Sequence, residues 1–323
     1  MKHKIAGMVI MGMVALVQPA LAFSCALRGR TVIDQAGREI AANKPFGRII
    51  SLYGAHTENL FALGLDSSII GVSRNERYPE AARKKAGFSY HDDPEKFLAV
   101  RPDLVLIRPM IDRGYAALVQ RLEKSGVTVI SLQPGSIDEM FVYWRILGVL
   151  AGKQERAGYM VRQFKHAVSS LKKITGNIYP KKKVYFESIH KKMKTFTRDS
   201  MAIFALETAG GINIGSDALS SRGTNIANYG KERILSHASK IDVYLAQKGS
   251  MNQPTVEIIK AESGFHLIRA VEENQIFIIS EMIVSRPTPR LLNGILEIGK
   301  NLYPDIFTRK FIETTITRTK VEN

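Results

Sequence analysis

The stretch RIISLYGAHTENLFALGL (48–65) decides the fold of this 323-residue chain. Arg48 to Leu52 is a short apolar run that suits a buried strand; a small, polar loop from Tyr53 to His56 follows, then a helical segment. Upstream, TVIDQAGREI (31–40) predicts a hairpin, with Gln35-Ala36-Gly37 as the turn between two apolar stretches. Downstream, IIGV (69–72), PDLVLI (102–107) and VTVISL (127–132) read as further buried strands. Strands that alternate with helical segments predict α/β layers with a parallel sheet.

Composition narrows the class. The chain is 45% hydrophobic and long enough for two compact lobes. Lys2, His3 and Lys4 precede a 13-residue apolar run, Ile5 to Val17, and then Ala20-Leu21-Ala22. That run is too short to span a bilayer and fits a secretory signal peptide, residues 1–22, cut after Ala22. The formal charge of +16 falls to +14 once Lys2 and Lys4 are removed. Such an excess suits nucleic acid, an anionic membrane or an anionic ligand. Export and the lack of any nucleic-acid motif exclude the first. Cys25 is the only cysteine, so no intramolecular disulfide forms. A lipid anchor at Cys25 lacks the usual preceding residues, since Ala22 and Ser24 occupy those places, and a soluble periplasmic form is expected.

The ordered matches Arg48-Ile49, Ser51-Leu52, Thr57-Glu58, Leu60 to Leu65, Gly71-Val72, Tyr78-Pro79 and Pro102 to Val105 carry a resemblance. They are similar to the opening of the substrate-binding proteins of ABC importers for iron complexes and cobalamin, and AGGIN (209–213) matches a later motif. The resemblance implies two Rossmann-like lobes with central β-sheets flanked by helices and joined by a long rigid α-helix. The expected units are an N-terminal lobe (23–135), linking helices (136–178), a C-terminal lobe (179–304) and a basic tail without evident structure (305–323). Ser136 to Glu139 has capping-box spacing, and a second helix from Lys153 to about Ile174 would reach roughly 33 Å. In lobe two, strands are expected at 183–187, 241–246 and 275–280. Helices are expected at 200–209, 231–237 and 287–302, the last with Pro287 and Pro289 in its first turn.

Ligands of such sheets sit beyond the carboxyl ends of the strands. The rule nominates Tyr53 and His56 after the first strand, Arg74 after the second and Arg108 after the fourth. From lobe two it nominates Glu187, His190, Lys191, Arg286 and Arg290. Five cations against Glu187 and Glu281 predict a cleft that attracts an anionic chelate. His56 and His190 are candidate metal ligands. Glu58, near a helix start, and Trp144, beside Met140 and Leu147, read as structural.

The resemblance further implies a surface glutamate on each lobe that meets arginines of the permease dimer. By position these are Glu95 in DPEKFLAVRPD (93–103) and Glu232 in GKERIL (230–235). The expected protein is a non-catalytic monomer with no cofactor of its own, which carries an iron complex such as a ferric siderophore or haem. Cobalamin or another corrinoid is the alternative cargo. A tetrapyrrole metal chelatase, with Glu187 and His190 as its pair, is the enzymatic rival. Nucleotide-binding glycine motifs, a serine-hydrolase elbow and a zinc-protease motif are all missing from the sequence.

Overall fold

The computed structural model describes residues 24–220 and 224–320, with side chains to Thr314. The signal-peptide reading of residues 1–22 lies outside the described residues. The chain starts with three short antiparallel strands, β1 (Ala26–Arg28), β2 (Thr31–Ile33) and β3 (Glu39–Ala41). At the β2–β3 turn Gly37 takes a φ of 83°, which favours glycine. Buried Asp34 accepts from the backbone N–H groups of Ala36 and Arg38, and its second oxygen accepts from Ser131 N, which ties the hairpin to lobe one.

Lobe one continues with β4 (Ile49–Ser51), α1 (Gly54–Ala62), β5 (Ile69–Ser73), β6 (Ala86–Phe88) and α2 (Pro94–Ala99). Next come β7 (Leu104–Ile107), α3 (Pro109–Gly114), α4 (Ala116–Lys124) and β8 (Thr128–Ser131). The five strands are parallel in the order β6-β5-β4-β7-β8. Every residue of β4 and β7 is buried, the pattern of strands covered on both faces.

Two helices link the lobes, α5 (Ile137–Leu150) and α6 (Gln154–Thr175). Ser136 Oγ accepts from Glu139 N, while the Glu139 carboxylate reaches back to Gly135 N, a capping box shifted by one residue. α6 has 22 residues and so runs roughly 33 Å. Trp144 of α5 stands edge-on to Phe164 of α6 at 5.5 Å between centroids, in the core as expected.

Lobe two comprises β9 (Lys183–Ile189), β10 (Lys194–Phe196), α7 (Met201–Thr208), β11 (Ile212–Asn213), β12 (Leu219–Ser220), β13 (Ile226–Asn228) and α8 (Lys231–Ser236). It is completed by β14 (Val243–Lys248), α9 (Val256–Ala261), α10 (Arg269–Glu272), β15 (Ile276–Ser280), α11 (Glu281–Val284) and α12 (Leu291–Leu302). Its sheet is mixed, ordered β12-β13-β10-β9-β14-β15, with β11 alongside β9. α12 starts at Leu291, so the expected helix start at Pro287 is corrected: the Pro287 carbonyl is held by side-chain donors from α1 and α5 instead of joining a helical ladder. The basic tail, read as unstructured, contains α13 (Arg309–Lys320), anchored by Phe311 and Ile312 against the main core.

That core runs without a break from lobe one (Ile49, Leu104) through Trp144 and Phe164 to lobe two (Phe186, Leu206, Ile295). Separate clusters cover the outer faces of the two sheets, around Phe88 and Phe97 in lobe one and Tyr185, Tyr244 and Phe265 in lobe two. The linking helices are therefore part of the core of both lobes, which makes a stiff connection.

Candidate functional site

The carboxyl ends of β4, β5 and β7 deliver Tyr53, Arg74 and Arg108, as the strand-end rule requires. Arg108 lies over the Tyr53 ring, its guanidinium carbon 4.6 Å from the centroid. Its buried Nε has no hydrogen-bond partner. Burial pushes the Tyr53 phenol up, against the opposing pull of Arg108 and Arg286. Tyr53 is thus a neutral, half-buried ring with a cation on its face.

A second pair of this type stands beside it. Arg290, from the turn before α12, lies over Tyr78, 3.9 Å from the ring centroid, and Tyr78 is 42% exposed. Arg286 from the same turn donates to Glu58 on α1 at 2.8 Å and faces Glu76 at 3.7 Å. The second oxygen of Glu58 is 3.7 Å from Arg290. A Cβ on Gly54 would collide with the Arg286 guanidinium, so α1 starts with glycine to let the arginine pass. The Pro287 carbonyl between these arginines accepts from Asn59 Nδ2 and from Trp144 Nε1, each at 3.0 Å. One turn of lobe two is therefore clasped by α1 and α5.

This clasp corrects the expected charge of the cleft. Arg286 and Arg290 face Glu58 and Glu76, and Arg74 pairs with Asp92. Arg108 is stacked on Tyr53, and Lys191 is exposed on the turn after β9. Three of the five nominated cations already have carboxylates, so the surplus is much smaller than the sequence suggested. Burial pushes the Glu58 carboxyl up even though both arginines favour its charge. For Arg286, burial opposes the charge, but Glu58 and Glu76 outweigh it and hold the guanidinium protonated.

His56 is corrected outright. The helix starts at Gly54, so His56 sits on the inner face of α1 rather than in a loop, and it is fully buried. Its Nδ1 pairs with Tyr143 Oη at 2.7 Å and its Nε2 with the Ile107 carbonyl at 3.0 Å, which leaves neither nitrogen for a metal. Burial pushes its pKa down to about 3. The carbonyl needs an N–H at Nε2, so Nδ1 is the acceptor from Tyr143.

In lobe two, Glu187 and His190 meet as the sequence proposed. His190 Nδ1 is 2.8 Å from Glu187 Oε2, which also accepts from Tyr244 Oη. His190 Nε2 stands 3.8 Å from Glu262, itself paired with Lys231. The hydrogen bond to Glu187 raises the His190 pKa despite partial burial, and charge–charge attraction to Glu187 and Glu262 adds to it. Glu187 is fully buried and its Oε1 has no partner. Among the described residues no group of three or more His, Cys, Asp or Glu side chains is placed to hold a metal ion.

Glu95 and Glu232 have matching settings. Each is the second residue of a six-residue helix, α2 or α8, and each is exposed. Glu95 is held by Arg121 at 2.6 Å. The sequence reading overlooked Glu76, Tyr78 and Glu262 as site residues. Tyr78 was visible in the Tyr78-Pro79 motif, and Glu76 lies two residues beyond the nominated Arg74.

Residues 49–282 match the profile of the periplasmic binding protein family. A Bacillus subtilis protein described as an uncharacterized ABC transporter substrate-binding lipoprotein, YvrC, is 25% identical over 86% of both chains. A vitamin B12-binding protein of Vibrio parahaemolyticus is 22% identical over 80% of this chain and 90% of its own. The crystal structure of a possible iron-binding periplasmic solute-binding protein from Staphylococcus epidermidis superposes with a TM-score of 0.70 at 27% identity. That match covers 80% of this chain and all of the other. The chain belongs to the periplasmic binding protein family. The two-lobed α/β fold and the resemblance to importer binding proteins for iron complexes or cobalamin are both borne out.

Proposed function

We propose that this protein is an exported solute-binding component that captures a metal chelate between its lobes and delivers it to an ABC importer. An iron complex, such as a ferric siderophore or haem, is the leading cargo. The observation that carries the choice is the pair of arginine-capped rings, Tyr53 with Arg108 and Tyr78 with Arg290, at the strand ends of lobe one. Such faces suit a flat aromatic or conjugated ligand with peripheral carboxylate or catecholate oxygens. Tyr53, Arg108, Arg286 and Arg290 are the first ligand contacts in this reading, with Arg74, Lys191, Glu187 and His190 as further candidates.

Cobalamin is the second reading, favoured by the Vibrio relative described as a vitamin B12-binding protein. Delivery uses Glu95 and Glu232 as contacts to the permease pair, and the binding protein acts as a monomer. It carries no cofactor of its own and no catalytic role is assigned. The buried packing of Cys25 supports a soluble periplasmic form over a lipid-anchored one. The test is an absorbance spectrum and metal analysis of the protein from its native compartment, followed by titration with haem, a ferric catecholate and cobalamin. Saturable binding of haem or the ferric catecholate supports the first reading, and cobalamin alone moves it to the second. Binding of none of the three overturns both.

A further inference from the structure

Most of the positive charge lies outside the cleft, and part of it forms a built surface. α6 carries Lys165, Ser169, Lys172 and Lys173 at spacings of four, seven and eight residues, so they share one face. Beneath that face, where α5, α6 and α7 meet, lies a groove of about 470 Å³ floored by Phe141, Val168 and Phe204. The three lysines rim it, and among the described residues that line it there is no carboxylate. Lys165 stands 4.7 Å from the Phe141 ring centroid and Lys172 5.3 Å from that of Phe204, so both ammonium groups are held over the apolar floor. Arg162, three residues before Lys165, extends the charge along α6, and α13, which packs against α6, carries Lys310.

We propose that this groove seats one acyl chain of an anionic membrane phospholipid, with the lipid phosphate on Lys165, Lys172 and Lys173. A floor of aromatic and aliphatic side chains accepts hydrocarbon, whereas a rim of like charge repels a cationic headgroup and attracts an anionic one. The volume falls in the range of small-molecule sites, about 300–1,000 Å³. The site is separate from the cleft and independent of the chelate reading, so the protein would be held at a bilayer surface with its cleft free.

The test is partitioning of the purified full chain onto phosphatidylglycerol vesicles and onto phosphatidylcholine vesicles, by flotation at low and physiological salt. Binding to phosphatidylglycerol alone, weakened by salt, is expected. The variant Lys165→Gln/Lys172→Gln/Lys173→Gln should lower partitioning about a hundredfold, roughly fivefold per lysine. Ser169→Trp, an exposed position on the rim, should fill the groove and lower it about tenfold with all charges retained. Chelate binding should be unchanged in both variants, which reports that they fold. Equal binding to the two lipids, no binding to either, or full binding by the lysine variant would overturn the proposal. Full binding by Ser169→Trp would overturn the groove as the acyl site.

Discussion

Arg286 and Glu58 stand 228 positions apart, yet a 2.8 Å ion pair joins them across the two lobes. Glu58 is 2% exposed and Arg286 19%, so water screens the pair only in part. Removing one partner leaves the other desolvated, which costs more than the pair itself contributes. Arg286→Met is expected to lower unfolding stability by about 2 kcal/mol. Arg286→Met/Glu58→Gln should recover most of that loss, because no buried carboxylate is stranded. Urea unfolding of the two single variants and the double variant measures the coupling; strictly additive losses would show that the residues do not act as a pair.

The two buried histidines should shape stability against pH in opposite directions. His190 has a raised folded pKa, so its contribution is full below the unfolded value of about 6.5 and is lost as pH rises through the folded value. His56, with a folded pKa of about 3, is neutral in the fold; its contribution is present above about 6.5 and is lost on acidification. The groups that face His190 are Glu187 and Glu262, with Lys231 behind the latter. His190→Gln should flatten the fall in stability as pH rises above about 6.5, where the wild-type slope cannot exceed about 1.4 kcal/mol per pH unit for one proton. Parallel unfolding profiles for wild type and variant over that window would remove His190 as the titrating group.

Cys25 is 4% exposed, and burial pushes its thiol up to about 11. The thiolate is the reactive form, so a packed thiol with a raised pKa should be inert. At pH 8 a maleimide reagent is expected to leave the folded protein unlabelled for hours and to label it within minutes in denaturant. Rapid labelling of the folded protein would show that the N-terminal strands open easily, and a mass increase of acyl size at Cys25 in the native protein would establish an anchor.

Those residues also show which parts of the molecule were legible beforehand. Strands 49–51 and 104–107 were readable because continuous apolar runs bounded by polar loops leave few alternatives. Glu187 and His190 were readable as a pair because a spacing of three at a strand end keeps them together. His56 was misplaced because helix α1 starts at Gly54, three residues earlier than the small, polar run implied. The arginines were nominated from their places after the strands, but their carboxylate partners were not foreseen. Glu58 and Glu76 reach Arg286 only through tertiary packing, and no local pattern connects positions 228 apart. The aromatic faces under Arg108 and Arg290 were hidden for the same reason.

Glu95 and Glu232 sit at equivalent places, second in the helices α2 and α8, each of which leads back toward a central strand, β7 or β14. If they contact the permease, charge reversal should act on delivery alone. Glu95→Arg breaks an exposed pair with Arg121, worth at most about 1 kcal/mol, so the fold should tolerate it. Glu232 lies on an exposed helix start, where a positive charge is mildly unfavourable. Glu95→Arg/Glu232→Arg should therefore keep chelate affinity within about twofold and lower the melting temperature by only a few degrees. Uptake into cells that carry the importer should fall at least tenfold, since each reversed charge would meet an arginine. Affinity and melting temperature confirm that the variant is folded, so unchanged uptake would place the docking contacts elsewhere on the lobes.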